Sequence, residues 1–481
     1  MKLVKNIPYY NQLVQPLHFA KAFHAASKNN YPATAMKVIG VTGTNGKTTT
    51  TWMIYSVLRE KFGAKVGIMS TIGWGPIDGK IQDQTAHATT ENPAVLEQHI
   101  AKLRDAGVEY LVLEVSSHAL SQHRVFGIPF DAAVFTNLSP DHLDYHKTML
   151  KYREAKEKLF HLVAKNRDGK KLGVINGDDK VGKFFARDVP HFAKYGLSEG
   201  ERGRSNDVFA KNVKLSAGGV EYDLQMSPDF AKNLSANNEN FAKKYATDAA
   251  RAKNLAIHIK TQIPGEFNVY NSLAAATIGL NYGLSRKEIE NGIASLAGVA
   301  GRMNSIDEGQ DFSVIVDFAT TPDAFANVLP NIRETTKGKV ITLFGLPGMR
   351  DQSKASGMGE VAEKYSDRII LTEDDARGNV RAQSDKIAKG IREKSKIEFV
   401  DDRTDAIRAA VNFAKKGDTV VLLGKGPEKM IARKIGDKIV DQPWDEEATV
   451  RKALKQIDKK SAKIVSKPKK VSSKSKTKEA K

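Results

Sequence analysis

A glycine turn that carries one lysine and several threonines is the stretch of this 481-residue chain whose residue types most directly indicate chemistry. It reads Val38-Ile-Gly-Val-Thr-Gly43-Thr-Asn-Gly46-Lys47-Thr48-Thr-Thr, so a β-branched strand breaks into a turn and then enters a helix. Small residues let backbone N–H groups face an anion, Lys47 adds positive charge, and the Thr48 hydroxyl can hold Mg²⁺. A purely structural turn would need neither the lysine nor the threonines. We therefore predict a phosphate-binding loop, formed by Gly43, Thr44, Asn45, Gly46, Lys47, Thr48 and Thr49.

The loop is shorter than the common G-x-x-x-x-G-K-[ST] spacing, because Gly43 precedes Gly46 by only three residues. A carboxylate at the end of another apolar strand, in Leu113-Glu114-Val-Ser116-Ser-His118, is a candidate Mg²⁺ ligand opposite Thr48. Alone, such an acid is more often a capping or solvent-facing group. The pairing with a phosphate loop favours the metal role.

Two acids and two histidines occupy six residues in Asp141-His142-Leu-Asp-Tyr-His146, which follows a further apolar strand. That density, rather than any one imidazole, indicates a site. The helical segment that follows places Tyr152, Lys156 and Phe160 on one face. By spacing alone, Lys156 is an ordinary solvated lysine.

Strands that alternate with helical segments must position these groups. The pattern predicts an α/β fold: a central P-loop-type, doubly wound parallel sheet over residues 37–299, then a Rossmann-like α/β domain over residues 300–458. Residues 208–226 instead indicate a small antiparallel hairpin that turns at Gly218-Gly219, and residues 228–253 a polar surface insertion. Ligands of open α/β sheets bind at the carboxyl ends of strands. The side chains at those ends are Glu114, Asn137, Asp317, Arg350, Asp374 and Lys425.

Composition indicates a cytoplasmic protein. No cysteine occurs, so disulfides and thiolate chemistry are excluded, and no apolar stretch has the length of a signal peptide or a transmembrane helix. The net charge of +19 owes +9 to residues 459–481, where ten lysines face one acid. This Lys-rich tail is predicted to be disordered, and it could contact nucleic acid or another anionic surface.

The order of motifs resembles the Mur ligase family, and within it the member that adds the third residue of the peptidoglycan stem peptide. The resemblance covers residues 37–455, and the number of ordered motifs makes coincidence implausible. Besides the phosphate loop, the matching stretches are Ser70-Thr-Ile-Gly, Thr89-Thr90, Glu114 to Arg124, Thr136 to His146, Ala155-Lys156, Asn176 to Asp179, Pro264 to Asn271, Gly301-Arg302-Met, Asp317 to Asp323, Arg350-Asp351 and Gly424-Lys-Gly426.

The resemblance implies an ATP-dependent, ADP-forming ligase of peptidoglycan synthesis, and hence of cell shape and division. ATP, two Mg²⁺ ions and CO₂ are the implied cofactors, because Lys156 would carry CO₂ as a carbamate and bind a second Mg²⁺ with Glu114 and His142. The nucleotide would lie by Asn268, Asn271, Arg302 and Asp317. The muramyl-peptide acceptor would be held by Ser70, Thr89, Thr90, Ser116 and Arg124.

The acceptor carboxylate would be activated as an acyl phosphate, which the free amino acid then attacks. The loop Thr372-Glu-Asp374-Asp375-Ala-Arg377 is similar to the family's loop that reads this amino acid. Arg377 could grip the distal carboxylate of meso-diaminopimelate, with Glu428 facing its ammonium and Arg350 nearby. An ordinary loop arginine is the alternative, and lysine remains open as the added residue.

Several positions depart from the family pattern. Only residues 1–36 precede the first strand, so we expect a short helical remnant where a uridine-binding domain usually stands. Thr320 replaces a usual histidine, Gln352 and Ser353 interrupt a basic run that follows Arg350, and Pro427 replaces another histidine. These changes leave two rivals to a monomeric muramyl-peptide ligase. They are a folylpolyglutamate-synthetase-like ligase and a degenerate, nucleic-acid-associated ATPase.

Overall fold

The computed structural model describes residues 14–84, 88–198, 206–216, 218–237, 257–349 and 351–465. Arg350 lies outside these residues, as do most of the predicted insertion and residues 466–481 of the predicted tail. Among the described helices, none combines the length and the apolar character needed to cross a membrane.

One sheet of eleven strands forms the first domain. Its spatial order is β11-β10-β9-β8-β7-β6-β1-β5-β2-β3-β4, and the run from β2 to β9 is parallel. The strands are β1 Lys37–Thr42, β2 Val66–Met69, β3 Gly73–Ile77, β4 Lys80–Asp83, β5 Tyr110–Glu114, β6 Phe130–Phe135, β7 Leu172–Asn176, β8 His191–Gly196, β9 Val208–Ser216, β10 Gly219–Met226 and β11 Ile257–Thr261.

The predicted hairpin is present as β9 and β10, but it is part of this sheet. Tyr195 of β8 pairs in parallel with Val208 of β9, so the hairpin continues the sheet rather than forming a separate element. Helices cover both faces and bury two hydrophobic cores, one on each side of the strands. The helices are Gln15–Lys28, Lys47–Phe62, Pro93–Asp105, Ser117–Ser121, Leu143–His146, Met149–Lys165, Gly182–Ala186, Pro228–Asn237, Phe267–Asn281 and Arg286–Ala294, with 3₁₀ turns at Pro32–Ala35 and Gly63–Lys65.

The second domain has its own doubly wound sheet, in the order β12-β13-β17-β14-β15-β16. A separate two-stranded hairpin, β18 with β19, was not predicted. The strands are β12 Asn304–Ser305, β13 Ser313–Asp317, β14 Val340–Phe344, β15 Arg368–Leu371, β16 Ile397–Phe399, β17 Thr419–Leu423, β18 Met430–Ile435 and β19 Lys438–Pro443. The helices are Pro322–Thr335, Ala355–Tyr365, Val380–Ala388, Arg403–Phe413 and Glu446–Val465, with a 3₁₀ turn at Lys394–Lys396.

The predicted fold class is confirmed, and the last helix extends across the predicted start of the tail. The helix Glu446–Val465 passes through residue 458, so its last seven residues, 459–465, fall in the stretch predicted as a disordered tail. Lysine and alanine, which make up four of these seven residues, are good helix formers, and a helix that has already begun adds further residues at little cost. For residues 466–481, which lie outside the described residues, the disordered tail stays a prediction.

Candidate active site

The phosphate loop is a narrow turn that only glycine fits at two positions. Gly43 and Gly46 have φ angles of 152° and 81°. A Cβ on Gly43 would lie 1.8 Å from Thr136 Oγ1, and one on Gly46 would lie 2.5 Å from Asn271 Oδ1. Asn137 fixes the turn, because its side-chain oxygen accepts from the Asn45 N–H at 2.9 Å. The helix Lys47–Phe62 begins directly after the turn, so its positive end faces the loop.

Glu114 stands at the end of β5 and contacts the Thr48 hydroxyl, so the two predicted Mg²⁺ ligands lie side by side. Thr48 Oγ1 donates to Glu114 Oε1 at 3.1 Å. The other carboxylate oxygen accepts from both the backbone N–H and the hydroxyl of Thr71, each at 2.9 Å. Glu114 is buried, and its contacts hold the carboxylate in one orientation. A fixed carboxylate and a hydroxyl beside a phosphate loop are hard oxygen donors that fit Mg²⁺.

Lys156 lies behind the phosphate loop rather than in solvent. Its Nζ donates to the Gly43 carbonyl at 2.5 Å and stands 4.4 Å from the centre of the Tyr152 ring. Burial first, and the positive charge of Lys47 second, hold the pKa of the Lys156 amine well below its usual value. The spacing-based expectation of a solvated lysine is therefore wrong, because the helix Met149–Lys165 turns this face inward.

His142 lines the same region in a left-handed conformation, with a φ angle of 54°. Its Nε2 lies 3.4 Å from Asp141 Oδ2, and its ring meets the His118 ring edge to face at a centroid distance of 4.7 Å. Burial is the largest influence and lowers the pKa of His142, with the Asp141 charge opposing it. A neutral imidazole is the form that can bind a metal ion.

A cavity of about 910 Å³ lies between the two domains, and the phosphate loop forms part of its wall. From the second domain, Arg302 donates to Thr48 Oγ1 at 2.9 Å, and Asp323 Oδ2 accepts from the Asn45 amide at 2.6 Å. Lys354 Nζ lies 3.9 Å from Asp141 Oδ1. Asp317 also lines the cavity and accepts from the backbone N–H groups of Met303 and Ala319.

The two predicted adenine-side amides form a fixed chain at the start of the helix Phe267–Asn281. Asn271 Nδ2 donates to Asn268 Oδ1 at 2.8 Å, and Asn268 Nδ2 donates to the Pro264 carbonyl at 2.7 Å. Thr50 Oγ1 donates to Asn271 Oδ1 at 3.0 Å, so the chain ends on the helix that follows the phosphate loop. Both amides line the cavity.

The predicted acceptor residues divide into two groups. Thr89, Ser116 and Arg124 line the cavity. Thr90 and Ser70 are buried, and their hydroxyls bind backbone carbonyl groups. Thr90 Oγ1 donates to the Glu114 carbonyl at 3.0 Å, and Ser70 Oγ donates to the Gly73 carbonyl at 3.1 Å. Arg124 Nη1 donates to the Thr90 carbonyl at 2.7 Å, which ties the two groups together.

Three carboxylates of the second domain meet around one lysine. One oxygen from each of Asp374, Asp375 and Glu428 lies within 4.8 Å of the others, and these residues line the cavity. The buried Lys425 Nζ contacts Asp375 Oδ1 at 2.9 Å and Glu428 Oε2 at 2.5 Å. Burial raises the pKa of Asp374 to about 6, with Lys425 opposing the shift. Arg377 donates to Asp375 Oδ2 at 3.1 Å and is not among the described residues that line the cavity.

The sequence did not single out three side chains that shape this site, which are Thr71, Asp323 and Lys354, whereas Asp141 is one of the two acids in the stretch that indicated a site. Each of the three stands inside or beside a stretch that was singled out for another residue. Thr71 follows Ser70, and Asp323 follows Asp317 by six residues. The partners of these three lie far away along the chain, so the local pattern held no signal for these contacts.

Comparisons with known proteins identify the family of the chain. Two family models match the chain: the Mur ligase middle domain over residues 41–279, and the Mur ligase, glutamate ligase domain over residues 301–426. The chain is 36% identical over 442 residues to UDP-N-acetylmuramoyl-L-alanyl-D-glutamate--2,6-diaminopimelate ligase 1 of Clostridium acetobutylicum. It is 37% identical over 447 residues to the ligase of that name from Geobacillus thermodenitrificans. Each alignment covers 91% of this chain and 82% of the relative.

Solved structures show the same fold. A UDP-N-acetylmuramoyl-L-alanyl-D-glutamate--2,6-diaminopimelate ligase is 27% identical, with a TM-score of 0.55 over 88% of this chain and 79% of that one. Folylpolyglutamate synthase of Mycobacterium tuberculosis, complexed with ADP, has a TM-score of 0.64 over 86% of this chain and 95% of that one. At 15% identity, the second likeness concerns the fold alone. The chain belongs to the Mur ligase family of ATP-dependent ligases.

Proposed function

We propose that the chain joins an amino acid to the D-Glu carboxylate of a UDP-N-acetylmuramoyl dipeptide, with ATP converted to ADP and phosphate. One observation carries the proposal. The phosphate loop, Glu114 and His142 line one cavity with Arg302 and Asp317 of the second domain, and the three carboxylates around Lys425 line it too. A single cavity thus offers a place for a nucleotide and, across from it, charged groups suited to an amino acid.

Phosphoryl transfer depends mainly on position and charge. A carboxylate oxygen of the acceptor attacks the γ-phosphorus, the bond from that phosphorus to the β–γ bridging oxygen breaks, and ADP leaves with the electron pair. Lys47 and Arg302 flank Thr48 at the loop, so they face the charge that gathers on the transferring group. The product is an acyl phosphate, and it needs no nucleophilic side chain.

Thr48 and Glu114 would hold one Mg²⁺, and Glu114, His142 and a carbamylated Lys156 would hold a second. When bound, these ions neutralise charge on the phosphate oxygens. Lys156 suits carbamylation, because its lowered pKa favours the neutral amine. The nitrogen of the neutral amine adds to the carbon of CO₂ and releases one proton, which converts a buried neutral amine into an anion.

The second step joins the amine to the acyl carbon, phosphate leaves, and the amine loses its proton. Asp374, Asp375 and Glu428 present negative charge that attracts the ammonium of the incoming amino acid before it reacts. Arg377 keeps further N–H donors beyond the one given to Asp375, so it can bind a carboxylate of the same amino acid. Diaminopimelate and lysine are both candidates, and the relatives are named for the former.

The test measures phosphate release and the product mass with UDP-muramoyl dipeptide and either diaminopimelate or lysine. We expect ADP formation to require both the acceptor and an amino acid, and the product to gain the mass of that residue less water. A matched reaction with a folate acceptor tests the nearest rival. ADP formation that ignores both substrates, or turnover only with the folate, would overturn the proposal.

A further inference from the structure

An exposed aromatic patch lies on the N-terminal helix Gln15–Lys28 and the turn after Gln122. Phe19 and Phe23 are 44% and 48% exposed. The Phe19 ring packs edge to face on Phe126 at a centroid distance of 5.0 Å and on His123 at 5.9 Å. We call Phe19, Phe23, His123 and Phe126 the aromatic patch.

The patch is not a face that this fold needs for its core. The helix Gln15–Lys28 buries Ala22, Ala25 and Ala26 against the domain, whereas Phe19 and Phe23, four residues apart, lie at the edge of that buried face and stay about half exposed. Neither ring belongs to the two hydrophobic cores of the first domain. Clustered exposed aromatic rings are typical of a binding surface.

Three cationic side chains, Lys21, Arg124 and Lys158, act on His18 and His123 at the patch, and Glu154 lies near the third of them. Burial first, and then Lys21 and Arg124, lower the pKa of His18. Burial first, and then Lys158 and His18, lower the pKa of His123. The charged neighbours that act on these two imidazoles are thus all basic within the described part of the chain. An aromatic surface with cations around it fits a ligand that has a flat ring and negative charge.

The patch is continuous with the cavity. Arg124 lines the cavity, follows His123 directly and precedes Phe126 by two residues. Its guanidinium is fixed by the Thr90 carbonyl at 2.7 Å and by Gln122 Oε1 at 2.7 Å. A long ligand that enters the cavity past Arg124 therefore meets the aromatic patch at its other end.

We propose that the aromatic patch binds the nucleotide end of the acceptor: the pyrimidine base stacks on Phe19 and Phe23, and the diphosphate faces Lys21, Arg124 and Lys158. This assignment rests on the proposed function, from which the UDP-linked acceptor comes. The acceptor would then be bound at both ends. Its base would lie on the aromatic patch outside the cavity, and its peptide carboxylate would reach the phosphate loop. Charge complementarity favours this occupant over an apolar protein segment.

The test compares the variant Phe19→Ser/Phe23→Ser with Phe192→Ser, which removes an equally exposed phenylalanine from β8. Steady-state rates with UDP-muramoyl dipeptide and with the same dipeptide lacking UDP separate recognition of the base from chemistry. We expect the KM for the UDP-linked acceptor to rise about tenfold in the double variant, since a stacked base contributes that much or more. Its kcat, its KM for ATP and all rates of the control should stay unchanged.

Direct binding of uridine diphosphate to the full chain, measured by calorimetry, keeps this test independent of turnover. Loss of that binding in the double variant alone would support the site even if neither acceptor were a substrate and the proposed function failed. Unchanged binding would overturn the site. An equal rise in KM for both acceptors would also overturn the site, because it would indicate that the patch is a structural surface. A change of oligomeric state in ultracentrifugation without loss of nucleotide binding would overturn it too, because it would indicate that the patch contacts a second copy of the chain.

Discussion

At the scale of single residues, Lys156 is the group whose environment most affects its chemistry. The amine is buried, 2.5 Å from the Gly43 carbonyl, and its pKa lies well below the ordinary value. Burial makes the ammonium form costly, so the neutral amine, which is the form that reacts with CO₂, is favoured at this position. The side chain is therefore better suited to react with CO₂ than to remain a free ammonium.

Replacement of Lys156 by alanine should reduce turnover at least about a hundredfold, because an anionic ligand near the phosphoryl group is lost. Acetate or propionate added at millimolar concentration should restore part of the activity by filling the space of the lost carbamate. Lys165→Ala, on the exposed end of the same helix, is the control and should keep the full rate. Normal turnover in Lys156→Ala, or no rescue by any short acid, would contradict the carbamate role.

Thr71 fixes the orientation of Glu114, because its hydroxyl and its backbone N–H both hold one carboxylate oxygen. Thr71→Val keeps the shape and the N–H group but loses the hydroxyl. We expect the Mg²⁺ concentration that half-saturates binding of a non-hydrolysable ATP analogue to rise about tenfold, the equivalent of one hydrogen bond to a charged group. Calorimetry at several Mg²⁺ concentrations measures this change. Thr71→Ser should behave like the parent, and equal defects in both variants would refute the role.

These two residues show what the sequence could and could not predict. Glu114 was predictable because it ends an apolar strand and strand ends carry ligands. Thr71 was not, because its bond to Glu114 spans 43 residues and depends on β2 lying beside β5. Burial of Lys156 was likewise invisible to spacing. The resemblance to a known family predicted its importance, but no local pattern did.

At the scale of elements, the phosphate loop and the helix Lys47–Phe62 act as one unit. Gly46 caps this helix with a positive φ angle, and Asn271 closes the space above it. The amide chain from Thr50 through Asn271 to Asn268 then links the loop to the helix Phe267–Asn281. The shape of the loop therefore depends on a helix more than two hundred residues away along the chain.

Gly46→Ala should weaken binding of an ATP analogue at least about tenfold, because the new Cβ would displace Asn271 and distort the loop. Gly63→Ala, at the other end of the same helix, is the matched control. Gly63 also has a positive φ angle, but nothing lies within 4 Å of its Cβ position. Both variants should lose about 1 kcal/mol of stability from backbone strain, whereas only Gly46→Ala should lose affinity. Equal affinities by calorimetry would contradict this reading of the loop.

The sequence predicted the helices and strands themselves better than it predicted which strands pair with each other. The alternation of strands and helices correctly gave two doubly wound domains, and the turn at Gly218-Gly219 correctly gave a hairpin. The pairing of that hairpin with β8 could not be foreseen, because periodicity identifies a strand but not the strand beside it. The β18–β19 hairpin was missed as well, since its residues alternate weakly between apolar and charged.

At the scale of the whole molecule, polar contacts between described residues connect the domains across the cavity. They include the contacts of Asn45 with Asp323, of Thr48 with Arg302, and of Asp141 with Lys354. Phe267 adds an apolar contact, because it packs against the core of the second domain. The chain therefore stands with its domains closed over the phosphate loop.

Removal of two of these contacts in Asp323→Ala/Lys354→Ala should favour separated domains. We expect a larger radius of gyration in X-ray scattering and a several-fold loss of affinity for an ATP analogue, since each polar contact contributes on the order of 1 kcal/mol. The control Glu109→Ala breaks an exposed ion pair with Lys65 inside the first domain. It should change neither quantity, and an unchanged radius in the double variant would show that other contacts hold the domains.

Asn45 and Thr48 belong to the loop that we propose binds the nucleotide, and both also contact the second domain. We therefore expect the domains to part when ADP leaves and ATP enters. Nucleotide exchange would then require the two domains to move relative to each other through the solvent. The turnover rate should therefore depend on the viscosity of the solvent. We expect added glycerol or sucrose to lower kcat in proportion to viscosity.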